Sequence, residues 1–309
     1  MAIAVAQERK AFVWLSRRAV LAIEPYFYAT PAVLLIVAIL VVPLAVGISY
    51  AFRDIVLLNP FSGAFIGLDH FRDLLQDQNF WLALGNTAEW TVASVSLQFV
   101  FGLLLALLLN RPFPGRGVIQ ALVFLPWAVP AFLAGLDWAW LFNPVVGPLP
   151  HWAVALGLAS EPTNLLSDPH HAIWGPIIAN VWWGVPFFAI TLLAALQSIP
   201  PDIYEAAEID GASAWQRFYT ITAPLLAPTI VIAVLLRTVW IANAPDLIVV
   251  MTHGGPADSS QIVASYIFTQ AFQRLDFGYA SAIAAVLLVL LLAYAFSLIA
   301  LRQLMLKRA

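Results

Sequence analysis

EAAEIDGASAWQRFYTITAPLLAP, residues 205–228, is a polar interruption between two strongly apolar runs, and its reading decides how the rest of the chain is laid out. Just before it, Pro200 and Pro201 can open a helix where a missing N–H costs nothing, and Asp202, Glu205 and Glu208 favour the positive end of that helix. Gly211 predicts its stop. Ser213 with Gln216 three residues later has capping-box spacing, so a second helix is expected to start there and run until Pro224. The product is a short bent helical element outside a bilayer, with its flanks inside one.

Composition places the flanks in the bilayer. Of 309 residues 62% are hydrophobic and only 10% charged, whereas soluble domains are about a quarter charged. Apolar runs of about 20 residues are long enough to cross a ~30 Å hydrocarbon core as helix. Six candidates lie near residues 27–51, 90–110, 117–141, 172–198, 224–250 and 278–301. The expected fold is therefore an all-α integral membrane protein with six transmembrane helices. Its parts are an amino-terminal segment 1–26, a membrane domain 27–301 containing the polar loop 200–224, and a tail 302–309.

Basic residues set the orientation. Arg9, Lys10, Arg17, Arg18, Arg111, Arg116, Arg217, Arg302, Lys307 and Arg308 fall on one side and Arg53, Arg72 and Arg274 on the other. Ten against three predicts that both termini and the 205–228 loop are cytoplasmic, in a multi-pass protein of the cytoplasmic membrane. The absence of Cys removes disulfides and thiolate metal sites. The first apolar run lacks a small-residue cleavage site and reads as a retained span. The basic segment before it, with Phe12, Trp14 and Leu15, reads as an interfacial amphipathic stretch.

The ordered set Glu205, Ala206, Ala207, Asp210, Gly211, Ala212, Phe218, Ile221, Pro224 and Pro228 resembles the EAA loop of the membrane subunits of ATP-binding-cassette (ABC) importers. A capped loop between two spans explains a Gly and the caps, but not the whole set. GLDHFRDLLQDQNFWLALGNT, residues 67–87, and LLRTVWIANAPDLIVVMTHGGPADSSQ, residues 235–261, are similar to the maltose-type, carbohydrate-importing branch of that family, with His253 where the branch commonly has Gly. Within the branch the chain is most similar to the first permease subunit of mycobacterial trehalose importers.

The resemblance implies that Tyr204, Glu205, Ala206, Ala207, Asp210, Gly211 and Ala212 couple the chain to a cytoplasmic ATPase. It also implies the partners: a homologous second permease subunit, two ATP-binding subunits and an extracytoplasmic sugar-binding protein or lipoprotein. Sugar, trehalose foremost, is the implied cargo, membrane lipid the surroundings, and no nucleic acid is expected. The chain has no G-x-x-x-x-G-K-[ST] phosphate loop. It is thus expected to be no enzyme and to bind no cofactor itself, with ATP and Mg on the partner ATPase.

A path for the cargo is read from two spans. Asn180, Trp183, Gly184 and Phe187 recur at i, i+3, i+4 and i+7, one face of a continuous helix. An amide, a large aromatic, a gap and a second aromatic suit a pyranose, while small and polar residues also serve as glue between membrane helices. The residues alone leave both readings open, and the resemblance favours the solute path. Trp240, Asn243 and Asp246 form a second group. Arg237 within that span should face protein or a wet cavity. Asp246 is its obvious partner, but nine residues of helix put the two about 13.5 Å apart and on opposite faces, so pairing needs a break, for which Pro245 is a candidate.

Several readings stay outside this path. Asp69, His70 and Asp73 are unevenly spaced and read as a solvated face, not a metal site, and His151, His170 and His171 read as surface residues of an external loop. Asp137, near the outer aromatic belt, reads as wet and structural. The alternative function is a proton-coupled secondary transporter using Asp137 or Asp246, which would be expected to show repeated halves with interrupted spans. No repeat is evident. An intramembrane enzyme lacks any nucleophile-base constellation.

Overall fold

The computed structural model describes residue 26 and residues 28–306. The amphipathic reading of the amino terminus, and six of the ten inside-facing basic residues, lie outside the described residues. The elements are α1 (Tyr28–Tyr50), α2 (Asp69–Gln76), α3 (Gln78–Asn110), α4 (Arg116–Ala128), α5 (Ala131–Leu141), α6 (Pro148–Ala155), α7 (Trp174–Gln197), α8 (Pro201–Ile209), α9 (Ala214–Arg217), α10 (Ala223–Asn243), α11 (Asp246–Met251), α12 (Val263–Phe268) and α13 (Phe277–Leu306). No strand occurs among the described residues, only two isolated bridges. Five helical stretches are long and apolar enough to cross a membrane, and α4 with α5 makes a sixth if that bent pair is one crossing. The chain is an all-α membrane protein.

Two expected spans are not continuous. The stretch expected at 117–141 bends by 94° between α4 and α5. Pro130 has no N–H and drives Val129 out of the helical region, to φ −78° and ψ 129°. The stretch expected at 224–250 is interrupted at Ala244, which Pro245 pushes to φ −102° and ψ 98°, and α11 follows without the sharp bend of the α4–α5 pair, so that Ala214–Met251 still counts as one crossing. Conversely, the second helix of the polar loop does not stop at Pro224. It runs from Ala214 through a π-helical turn, Phe218–Thr222, into α10, where Pro224 stands in the first turn and needs no N–H.

Two apolar clusters hold the helices. The larger joins α3, α7, α10 and α11 through Trp90, Phe187, Phe188, Ile241 and Ile248, and the smaller ties the start of α3 to α12 and α13 through Phe80, Tyr266 and Ile283. Beside the smaller cluster stands Asp77, which caps α3 through Asn79 N and accepts from the hydroxyls of Tyr266 at 2.6 Å and Tyr279 at 2.7 Å. These bonds outweigh the opposing effect of burial and hold the Asp77 carboxyl below its ordinary range. The solvated-face reading of residues 69–73 is corrected at His70. It is buried, with Nε2 3.0 Å from Arg53 O, while Asp69 and Arg72 make an exposed ion pair.

Candidate functional site

A cavity of about 360 Å³ opens where both broken spans meet α3 and α7, lined by Trp90, Ala131, Asn180, Trp183, Arg237, Val239, Trp240, Asn243 and Asp246 among others. That volume lies in the ~300–1,000 Å³ range of small-molecule sites. The two breaks make it possible. A Pro break leaves a carbonyl without its i+4 donor, which hydrocarbon cannot satisfy, so irregular backbone survives only where protein or a cavity meets it. Here indoles do so. Trp183 Nε1 donates to Val129 O at 2.8 Å, and Trp90 Nε1 donates to Ile241 O at 3.0 Å. Ile241 O is the carbonyl that residue 245 would have served had it not been proline.

The expected path residues separate into two groups. Asn180, Trp183, Trp240, Asn243 and Asp246 come together on the cavity wall. Gly184 and Phe187 stand behind it. Gly184 faces Arg237 Nη2 and the Gln98 carboxamide so closely that no Cβ would fit. Phe187 is buried between Trp127 and Trp240, at ring separations of 6.0 and 5.5 Å, and holds Trp240 in place. The Asn243 amide donates to Val239 O in its own helix.

Arg237 does not pair with Asp246, although the break suspected at Pro245 is present. The break turns Asp246 into the exposed first turn of α11, whereas Arg237, only 2% exposed, points back into the bundle. Its Nε donates to Gln98 Oε1 at 2.6 Å, and its guanidinium carbon lies 5.1 Å from the Trp183 ring centroid and 5.7 Å from that of Phe187. Gln98 Nε2 in turn donates to Asn180 O at 2.8 Å, so one amide knits α3, α7 and α10.

The polar elbow is a second site, at the other end of α10. Helix α8 begins behind Pro200 with Asp202 in its first turn and ends before Gly211, whose φ of +79° lets the chain reverse. Ser213 and Gln216 form the expected capping box. Glu205, Ala206, Asp210 and Gly211 are exposed, and Ala207 and Ala212 half-buried. Tyr204 turns inward, its hydroxyl 3.0 Å from Thr222 Oγ1, and Glu208 pairs with Arg217 at 2.8 Å. Together these bind the elbow to the base of α10. Ile209, Trp215 and Tyr219 remain large, apolar and exposed on it.

Residues 98–308 match the family described as binding-protein-dependent transport system inner membrane component. The chain belongs to this family. It is 39% identical over 230 residues to the trehalose/maltose transport system permease protein MalF of Thermococcus litoralis, covering 74% of this chain and 77% of that one. It is 32% identical over 262 residues to the trehalose transport system permease protein SugA of Mycobacterium tuberculosis, covering 85% and 83%. A chain of the bacterial alginate ABC transporter, solved in complex with alginate pentasaccharide-bound periplasmic protein, superposes with a TM-score of 0.78 at 25% identity, over 91% of this chain and 94% of that one.

Interrupted spans, which a proton-coupled secondary transporter would be expected to show together with repeated halves, are thus found here in a chain of the ABC-importer permease family. The fold as a whole superposes on a chain of an ABC transporter. The sequence reading of the permease missed Gln98 and Trp90. Gln98 carried a signal, being the one amide within the apolar body of its span, whereas nothing local marks Trp90, whose partner is 151 residues away. Among the described residues of the permease no group of three or more His, Asp or Glu is placed to hold a metal ion.

Proposed function

We propose that this permease is one of two membrane subunits of an ATP-driven sugar importer, moving a disaccharide of the trehalose type by alternating access. The observation that carries the reading is the cavity between Trp183, Trp240, Asn180 and Asn243, joined by one helical rod to the elbow. Aromatic faces take the apolar faces of a pyranose, and each hydroxyl hydrogen bond contributes only about 0.5–1.5 kcal/mol net, weak enough to release the cargo. The names of MalF and SugA support the trehalose reading. Both termini and the elbow are cytoplasmic in this proposal, with 27–301 as the membrane domain.

ATP and Mg belong to two partner ATPases, which close together and grip the elbow. Its exposed surface at Glu205, Ala206, Asp210 and Gly211, rimmed by Ile209 and Trp215, is the docking face, with Tyr204, Ala207 and Ala212 behind it. A second, homologous permease subunit completes the membrane domain, and an extracytoplasmic sugar-binding protein delivers the cargo.

The test is uptake of labelled trehalose and maltose in a strain lacking this chain, complemented with wild type, Glu205→Lys or Gly211→Pro. Wild type restores uptake and co-purifies with an ATPase. Both variants abolish uptake while the binding protein still captures sugar. Normal uptake by a well-expressed Gly211→Pro chain overturns the coupling. Uptake that follows a proton gradient at constant ATP favours a secondary transporter instead.

A further inference from the structure

The connection between α1 and α2 presents hydrocarbon to its surroundings. No residue from Ile55 to Leu68 is charged. Leu57 and Phe65 are exposed, and so are Leu58 at 77% and Phe61 at 91%. The two polar side chains of the run are spent inside it: Asn59 Oδ1 accepts from Phe61 N at 3.0 Å, and Ser62 Oγ donates to Val56 O at 3.0 Å. Backbone bonds close the turn, with Asp54 N on Ala64 O, Ser62 N on Asn59 O and Ile66 N on Phe52 O. A single exposed apolar side chain needs no account, but four large ones in one short, internally bonded loop mark a contact surface.

Its place in the fold says what that surface meets. Leu57 N donates to Leu275 O and Phe277 N to Ile55 O, both at 2.9 Å, so the loop is fastened to the first residue of α13. The crossing Phe277–Ala300 is about 36 Å long as helix, more than the ~30 Å hydrocarbon core, so its first turn stands at the bilayer surface. The preceding crossing, α1, ends at Tyr50, just before the loop. Arg53 and Arg274 flank the root, both exposed, and neither makes an ion pair among the described residues. An apolar tip on a basic root is the pattern of a segment that lies in the headgroup layer. A soluble protein that lands and leaves would abandon these side chains to water between visits, whereas a leaflet covers them throughout.

We propose that residues 55–66 anchor the chain in the lipid leaflet on the face away from the elbow, with Leu57, Leu58, Phe61 and Phe65 among the upper acyl carbons and Arg53 and Arg274 at the phosphates. The anchor holds the cap formed by α2, whose His70 ring meets that of Tyr279 in α13 at 5.9 Å, at a fixed height on the bilayer. It does not depend on the cargo. Only the naming of that leaflet as the outer one rests on the proposed orientation.

The experiment uses the complete importer in vesicles of phosphatidylcholine and phosphatidylglycerol. This chain has no Cys, so a nitroxide at Leu58→Cys or Phe61→Cys reports one place when the other subunits are also free of cysteine. Both side chains are too exposed for their loss to unpack the fold. The readout is collision of the label with oxygen, which concentrates among acyl chains, and with a water-soluble nickel chelate. Relative to Glu161→Cys, in the exposed loop before α7, both tip labels lose nickel collisions and gain oxygen collisions, equally before and after sugar-loaded binding protein is added.

Nickel access equal to that at Glu161→Cys puts the tip in water and overturns the anchor. Loss of both kinds of collision means that another subunit covers the tip, and shielding that begins only with the binding protein means that this protein does; either result overturns the anchor as well. Glu161→Cys that a membrane-impermeant thiol reagent reaches only in opened cells overturns the proposed orientation and with it the outer leaflet, while the collisions still decide the insertion.

Discussion

Trp90→Phe and Pro245→Ala, made singly and together, test whether an indole replaces the backbone donor that proline removes. Ile241 O receives Trp90 Nε1 at 3.0 Å and, more weakly, Ala244 N at 3.3 Å. Trp90 is 1% exposed, so its N–H cannot be replaced by bulk water. Removing one of two donors from a buried carbonyl leaves it partly served, which places the polar cost near the lower end of the ~1–3 kcal/mol range, about 1 kcal/mol. The smaller ring adds a packing loss of similar size, since the larger cluster closes around Trp90.

Only the polar part responds to Pro245→Ala. That change restores an N–H four residues beyond Ile241, lets Ala244 return to helix, and supplies the carbonyl from within the chain. The cost of Trp90→Phe should therefore fall by about 0.5–1 kcal/mol in the Pro245→Ala background, read as thermal unfolding of the purified complex across the double-mutant cycle. Uptake moves the other way, because closing the interruption re-aims Ala244 and Asp246, which line the cavity. Costs that add within about 0.3 kcal/mol, or full uptake by Pro245→Ala, refute the reasoning.

Gly184→Ala forces a methyl into the space of Arg237 Nη2 and the Gln98 amide, so overpacking of about 1–3 kcal/mol should appear as a lower unfolding temperature together with lost uptake. The Asp77 carboxyl is held low in the folded state, so its contribution is present above its ordinary pKa of about 3.9 and is lost as pH falls through the depressed folded value. Asp77→Asn should remove that part of the acid sensitivity, measured as unfolding temperature against pH. The Glu208–Arg217 pair is largely exposed on its acidic side, so Glu208→Gln should cost no more than about 1 kcal/mol, with unchanged assembly and a reduced coupling of ATP hydrolysis to uptake.

What the sequence made legible was whatever depends on near neighbours. Pro200, Gly211, Ser213 and Gln216 set the elbow within a few residues, and structure follows sequence there. The break at Pro130 was not legible, and the one at Pro245 was legible only as a candidate, for a physical reason. Pro186 and Pro228 lie inside unbroken helices, while Pro130 and Pro245 end theirs. Each lacks an N–H and each frees a carbonyl, so local chemistry does not separate them. At the two breaks a distant indole is in reach, from 54 and 151 residues away. Arg237 was legible as buried but not as partnered, because its acceptor, Gln98, lies 139 residues away on another span.

The breaks also decide what a displaced elbow can move. From the π-turn to Asn243 the chain is one helix of 21 residues, about 31 Å long, and Arg237, Trp240 and Asn243 occupy its last two turns. Tyr204 and Arg217 fasten the elbow to its base, so on the proposed mechanism a tilt imposed by the ATPase arrives at the cavity wall undiminished. At Ala244 the helix is interrupted, without a sharp bend. Helix α11 packs on α5, with Leu247 and Val250 against Gly135, and through Leu247 and Ile248 it also joins the cluster around α7. A cavity bounded on one side by a helix joined to the elbow, and on the other by α5 and α11 packed on each other and on α7, changes shape when only the first side moves.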